Sequence, residues 1–233
     1  MKLTCLGSGS AGNCYLLHNE TECLVIEAGI PFKEVKKALD FNINKIVGVL
    51  VSHEHGDHAK YLHEYIKGGI PVMAPSMERV TGALSAVSKP FSVRTFPLVH
   101  DVPCTGFLIE HSEIGRLLFV TDTEYVRYRF KSLNHIMIEC NYSQDLLGKS
   151  YHEGLQERIK LTHMELDTCK DFIRANKSQE LKSVCLMHLS DRTSDEKLFQ
   201  KEISELVECP VYVANNGLEY EILRRNDIST KYY

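Results

Sequence analysis

Six consecutive residues, His53-Glu54-His55-Gly56-Asp57-His58, hold three imidazoles and, at Asp57, a carboxylate directly behind the apolar run Ile46-Val47-Gly48-Val49-Leu50-Val51. An apolar run of this length reads as a buried strand. Imidazoles crowded at its end repel one another when protonated, and a carboxylate beside a buried strand end must be paired or bound to a metal. Imidazole and carboxylate together suit zinc, and also manganese or iron. The chain must therefore build a sheet whose strand ends gather ligand-type groups at one place.

The rest of the pattern supplies such a sheet. Apolar runs and alternation place strands at 2–6, 14–18, 22–27, 46–51, 71–74, 92–98, 105–110, 116–121, 135–140, 183–188, 211–214 and 219–223. Helical spacing appears at 32–40, 58–67, 75–86, 152–160, 165–176 and 194–207, the last with Ser194 as its N-cap. Strands that alternate with helices give an α/β class, with early and late hairpins added. Residues 141–160 fit either a lid or dimer contact or an exposed helical hairpin. No repeat, linker or low-complexity tract divides the chain, so residues 1–233 are expected to form one domain.

Three further strand ends carry ligand-type residues. His100 follows Phe96-Pro97-Leu98-Val99, Asp122 follows Leu117-Leu118-Phe119-Val120-Thr121, and His188 follows Val184-Cys185-Leu186-Met187. Each alone is weak evidence, since a polar residue at a strand end is usually a cap or faces solvent.

In order, behind His-x-His-x-Asp-His, these residues resemble the metallo-β-lactamase superfamily, and above all its phosphodiesterase branch. That branch includes tRNA 3′-processing endonucleases, YycJ/WalJ-type exonucleases and small phage cyclic-nucleotide phosphodiesterases of the anti-Pycsar type. The opening Leu6 to Asn13 and Val25-Ile26-Glu27-Ala28-Gly29-Ile30 are similar to YycJ-type proteins, with Glu27 standing where the family usually has Asp. The resemblance implies an αββα sandwich, two mixed sheets flanked by helices. It implies two divalent metal ions, Zn or Mn. His53, His55 and His100 would hold the first, Asp57, His58 and His188 the second, and Asp122 would bridge them. Asp57 and His163 are the expected catalytic residues. His163 precedes a helix and is placed to protonate the departing oxygen, with Glu139 and Asn141 orienting it or His188. Ser8, Ser10, Asn13, His163 and Arg192 are the expected substrate contacts. The family's habit of pairing makes a homodimer an expectation by analogy.

Composition narrows the substrate. Apolar residues make up 43% and charged residues 25%, values of a globular protein, and no apolar run reaches membrane-spanning length. The start of the chain has no signal-peptide pattern, and the eight cysteines are scattered without Cys-x-x-Cys. A cytoplasmic protein with reduced core thiols, and no membrane partner, is expected. The net charge of −4 disfavours a long nucleic-acid track, which needs basic stripes. Lys33, Lys36 and Lys37 read as a solvated helix face. Arg127, Arg129 and Lys131, after Asp122, are placed to touch a substrate phosphate. A small nucleotide, most of all a cyclic one, is thus the expected substrate, with DNA exonuclease or other nuclease activity as the alternative.

Two other classes compete. An oxidoreductase on this scaffold is disfavoured by the His163 acid and the lack of a redox domain. A non-catalytic module is disfavoured by the complete ligand set. The turn Gly7 to Asn13 is no dinucleotide fingerprint, because no suitable helix follows it. His18, His63, His111, His135 and His152 lack matching context and read as surface or packing residues.

Overall fold

The computed structural model describes residues 1–75 and 90–223. Most of the helix expected at 75–86 lies outside the described residues. The first sheet has the order β12-β1-β2-β3-β4-β5. Its strands are β1 (Lys2–Gly7), β2 (Cys14–His18), β3 (Cys23–Ile26), β4 (Ile46–Leu50), β5 (Val72–Met73) and β12 (Glu219–Glu221). The second has the order β11-β10-β9-β8-β7-β6. It is built from β6 (Ser92–Leu98), β7 (Cys104–His111), β8 (Gly115–Val120), β9 (His135–Glu139), β10 (Ser183–Met187) and β11 (Val211–Val213). Both sheets are mixed. The pairs β3·β4 and β4·β5 are parallel in the first, and β8·β9, β9·β10 and β10·β11 in the second; the hairpin strands are antiparallel.

Alternate residues of each central strand enter different cores, because side chains alternate across a pleated strand. Between the sheets pack Leu3, Tyr15, Leu17, Ile26, Leu50, Phe107, Phe119, Met137 and Met187. On the outer face of the first sheet, Leu16, Val25 and Val49 meet Phe32 and Val35 of α1 (Phe32–Ala38) and Tyr65 of α3 (Leu62–Lys67). On the outer face of the second, Leu118, Val120, Ile136, Ile138, Val184 and Leu186 meet two helices. These are α6 (Leu166–Asn176), through Cys169, Phe172 and Ile173, and α7 (Glu196–Ser204), through Phe199 and Ile203. Strands covered on both faces become unbroken apolar runs, which is why they stand out in the sequence. Each large side chain so buried contributes roughly 1.5–3 kcal/mol before entropy is charged against it. The result is the α/β, αββα sandwich that the resemblance implies.

Two local expectations need correction. Residues 58–67 do not form one helix: α2 (Gly56–Ala59) ends near Lys60 and α3 begins after Tyr61. The break lets α2 follow the histidine loop while α3 turns its Tyr65 into the core. Asp195, not Ser194, caps α7, its carboxylate accepting from the Leu198 backbone N–H at 3.0 Å. Ser194 instead donates to the Ser190 carbonyl at 2.7 Å. Residues 141–160 contain α4 (Gln144–Ser150) and the start of α5 (Glu153–Thr162), a helical hairpin. All eight cysteines are unpaired and seven are buried. Among the described residues no helix is long and apolar enough to cross a membrane.

Candidate functional site

The carboxyl ends of β3, β4, β6, β8, β9 and β10 meet at one edge of the sandwich. Parallel strands expose their last carbonyls and turns there, so function collects at that edge. Three of the residues that leave these strands are held at positive φ without being glycine: Glu27 (66°), Asp122 (41°) and His188 (53°). Non-glycine residues in this region carry strain that surrounding contacts must hold in place, and such strain gathers at functional sites.

The histidine loop supplies the first group. His53 Nε2 lies 3.1 Å from His55 Nδ1, and His100 Nε2 lies 3.2 Å from the same atom. The outward nitrogens are tied back. His53 Nδ1 is 2.9 Å from Ser52 Oγ, and His100 Nδ1 is 3.0 Å from the Thr162 carbonyl, to which it donates. Burial drives the His53 imidazole down to about 2 and also lowers His100, so both are neutral and turn lone pairs inward. Facing lone pairs at this spacing repel unless a cation sits among them. Two nitrogens bound at about 2.0–2.1 Å to one tetrahedral zinc ion stand roughly 3.3–3.4 Å apart, so this group fits a divalent metal.

The second group adjoins it. His58 Nε2 is 3.4 Å from Asp57 Oδ2 and 3.4 Å from Asp122 Oδ1. His188 Nε2 is 3.4 Å from Asp57 Oδ2, and its Nδ1 is 3.5 Å from Asp122 Oδ1. The other Asp122 oxygen points to the first group, 3.9 Å from His53 Nε2. Burial would raise the Asp122 carboxyl, but the His188 and His58 imidazoles outweigh it and hold the group well below the carboxylate range. Burial is likewise overcome at Asp57 by hydrogen bonds to His188 and His58, and at His188, which is pushed up to about 10 by Asp122, Asp57 and Glu139. Glu27 stands behind this group. Its carboxylate accepts from the Ser52 backbone N–H at 3.3 Å and lies 3.4 Å from His58 Nδ1, which makes no hydrogen bond. The three histidines of the first group and the mixed histidine and carboxylate donors of the second suit divalent metal ions.

His163 lies at the edge of the second group. Its Nδ1 is 2.7 Å from Glu139 Oε1, which also lies 3.1 Å from His188 Nδ1. The second Glu139 oxygen accepts the backbone N–H groups of Thr123 at 3.0 Å and Met164 at 3.2 Å. With Nδ1–H given to Glu139, Nε2 is the nitrogen His163 presents outward. Burial would lower its pKa, but Glu139 and Asp122 raise it overall. Asn141 donates to the His188 carbonyl at 2.8 Å.

The expected substrate contacts separate. Asn13 is fully buried, and its side-chain amide is spent on Gly9, the Asp57 carbonyl and His58 Nε2, at 2.8–3.2 Å. Ser8 accepts from the His188 backbone N–H at 2.9 Å and from the Tyr15 hydroxyl at 2.8 Å. Both brace the site. Ser10 is exposed, and the Arg192 guanidinium lies 6.0 Å from the Tyr151 ring centroid on the surface. Sequence reasoning missed the bracing atoms Ser52 Oγ and Thr162 O, and also Asp101 and Arg158. A backbone carbonyl has no sequence signal, and Asp101 has only its place beside His100.

The family model for the metallo-beta-lactamase superfamily matches residues 7–72. Exodeoxyribonuclease YycJ of Bacillus anthracis is 27% identical over 231 residues, covering 87% of this chain and 88% of its own. Among solved structures, the metallo-beta-lactamase fold protein YhfI from Bacillus subtilis superposes with a TM-score of 0.69 at 18% identity, covering 94% of this chain and 98% of its own. The short form of human tRNase Z superposes at 0.62 and 15% identity, covering 95% and 99%. At such identities the two structural likenesses concern the fold.

Proposed function

From a chain that is a metal-dependent hydrolase of the metallo-β-lactamase fold, we propose a phosphodiesterase that cleaves a small nucleotide phosphodiester, a cyclic nucleotide foremost. One observation carries the reading. Asp122 turns one oxygen to each ligand group, and His163, held by Glu139, stands beside both. In this proposal His53, His55 and His100 hold one divalent ion, Zn or Mn, and Asp57, His58 and His188 a second, with Asp122 between them. Such ions supply Lewis acidity and an acidified water at neutral pH.

The chain's own residues do the rest. Glu139 keeps the His163 proton on Nδ1 and favours the imidazolium, so Nε2–H is available to protonate the departing oxygen. Ser8 and Asn13 fix the backbone and side chains of the second group. Beyond Asp122 the loop carries the exposed Tyr125 and Tyr128, with Arg127, Arg129 and Lys131 between and after them. Among the described residues none of these three cations has an acidic partner within 4.0 Å, as suits one or two phosphates and a stacked base. Eight unpaired thiols support a reducing compartment, the cytosol.

A second reading, a DNA exonuclease, is favoured by the name of the curated relative from Bacillus anthracis. The deciding experiment assays purified protein with manganese or zinc on a panel. It holds bis(p-nitrophenyl) phosphate, 2′,3′- and 3′,5′-cyclic nucleotides, and single- and double-stranded DNA and RNA. The first reading expects the highest kcat/KM on a cyclic nucleotide. Efficient DNA degradation with negligible cyclic-nucleotide turnover replaces it by the second, and no hydrolysis of any diester sinks both.

A further inference from the structure

Asp101, the residue after His100, lies against the first histidine group without sharing its cluster of inward nitrogens. Its Oδ1 is 3.3 Å from His55 Nε2 and 3.2 Å from His100 Nε2. Its Oδ2 is 3.4 Å from the Arg158 guanidinium. Arg158 stands on α5, one turn before Thr162, whose carbonyl accepts from His100 Nδ1. His163 follows directly.

The Thr162 carbonyl settles which nitrogen of His100 carries its proton. His100 gives Nδ1–H to the Thr162 carbonyl, so its Nε2 has a lone pair and cannot donate to Asp101. Of the two Asp101 contacts, only the one to His55 Nε2 then sets the carboxylate, at an ion-pair distance of 3.3 Å, against a nitrogen free to carry a proton. His55 Nδ1 is left with its lone pair turned toward His53 and His100, which is the state a metal requires. The remaining contact sets a carboxylate oxygen against a lone pair, a clash that a cation held by the three nitrogens relieves. Each imidazole of the group has one outer anchor: Ser52 Oγ for His53, Thr162 O for His100 and Asp101 for His55. Asp101 is the charged one of the three. A carboxylate behind a ligating imidazole fixes the ring and raises its basicity.

We propose that Asp101 is the positioning residue of the first histidine group, orienting His55 for a divalent metal, and that Arg158 holds its carboxylate in place. The proposal rests on the metal-centre reading above. It also ties α5 to the site at two points, Arg158 and Thr162, just ahead of the proposed proton donor.

The test is chelator competition on the purified holoprotein, with zinc counted by atomic emission and folding checked by thermal unfolding. Wild-type protein is expected to hold two equivalents. Asp101→Ala should surrender one of them at about 10–100-fold lower chelator concentration, with the other unaffected. Asp101→Asn keeps an acceptor oxygen and should recover most of that loss. Arg158→Ala removes an exposed side chain and should weaken the same equivalent by a smaller factor. Wild-type release from Asp101→Ala, equal weakening of both equivalents, or an Asp101→Asn as damaged as Asp101→Ala overturns the proposal. If Asp101→Ala does not fold, Arg158→Ala decides: release identical to wild type overturns it. A wild-type protein that binds no divalent metal fails at the earlier step, the metal centre itself, and is recognised before any variant is compared.

Discussion

Asp122 leaves β8 at a φ of 41°, buried, with one oxygen toward His58 and the other toward His53. Asp122→Ala should cost the protein bound metal and bring diester hydrolysis to background. The sandwich should persist, because its three cores pack without this side chain. Metal analysis, activity and circular dichroism on one preparation check all three expectations. His163→Ala should keep the bound metal, since its hydrogen bond goes to Glu139 and it stands outside the two main ligand groups. Turnover should fall by about 10²–10⁴-fold on a substrate with a poor leaving group and much less on a p-nitrophenyl ester, whose leaving group needs little protonation. Equal losses on both would assign His163 to phosphate positioning instead. His188 makes a prediction about protons. Against burial, its carboxylate neighbours push it up to about 10. In the metal-free chain that proton stabilises the fold fully below about 6.5 and the benefit is lost as pH rises toward 10. Metal uptake at pH 7 should therefore release protons, and apparent affinity should climb with pH. Calorimetry in buffers of different ionisation enthalpy measures the release; a value of zero would mean His188 carries no proton to displace.

At the level of elements, the turn after β3 and the histidine loop are packed backbone on backbone at Gly29. A Cβ at Gly29 would stand 1.8 Å from the Asp57 carbonyl oxygen and 2.7 Å from the Asn13 nitrogen. That carbonyl already accepts the Asn13 N–H at 2.7 Å. Gly29→Ala should therefore push the loop that carries Asp57 and His58 out of place. A stability loss at or above the usual overpacking cost of about 1–3 kcal/mol is expected, together with loss of metal. Gly56→Ala is the contrast, two residues from His58 on the same loop. A Cβ there meets nothing within 4 Å, and the residue opens α2. Its melting temperature should hold or rise, since alanine is the better helix former by up to about 1 kcal/mol. Central strands such as β3 and β4 were legible because burial on both faces leaves no polar residue to interrupt them. The seven residues expected as ligands each follow such a strand, and the structure gathers them into two adjoining groups. The break at Lys60 was not legible, since apolar spacing continues across it. Nor were the turns at Glu27, Asp122 and His188, where a positive φ is imposed by tertiary contacts on residues whose type does not announce it.

The whole molecule sets the terms on which a substrate approaches. A net charge of −4 repels a polyanion at long range, while the loop after Asp122 offers three cations locally. For a small nucleotide with about one phosphate contact, affinity should fall by about fourfold or less between 50 and 200 mM salt. A polymer gripped at six to ten phosphates would lose about 10³–10⁵-fold over the same range. KM measured across that range for both substrate classes separates the cases, and a steep dependence for the better substrate would place the binding energy along a strand of nucleic acid.

The site also divides its donors by sheet. Glu27 and the His53–His58 loop come from the first, while His100, Asp122, Glu139 and His188 come from the second. During synthesis the first sheet's donors emerge long before Asp122 and His188 exist to meet them. The loop alone offers a passing ion only a partial grip. An ion held by both sheets would be acquired only after they have docked, and would then rivet them together. Retention of metal through a denaturant titration would thus report on sheet docking, separately from loss of secondary structure.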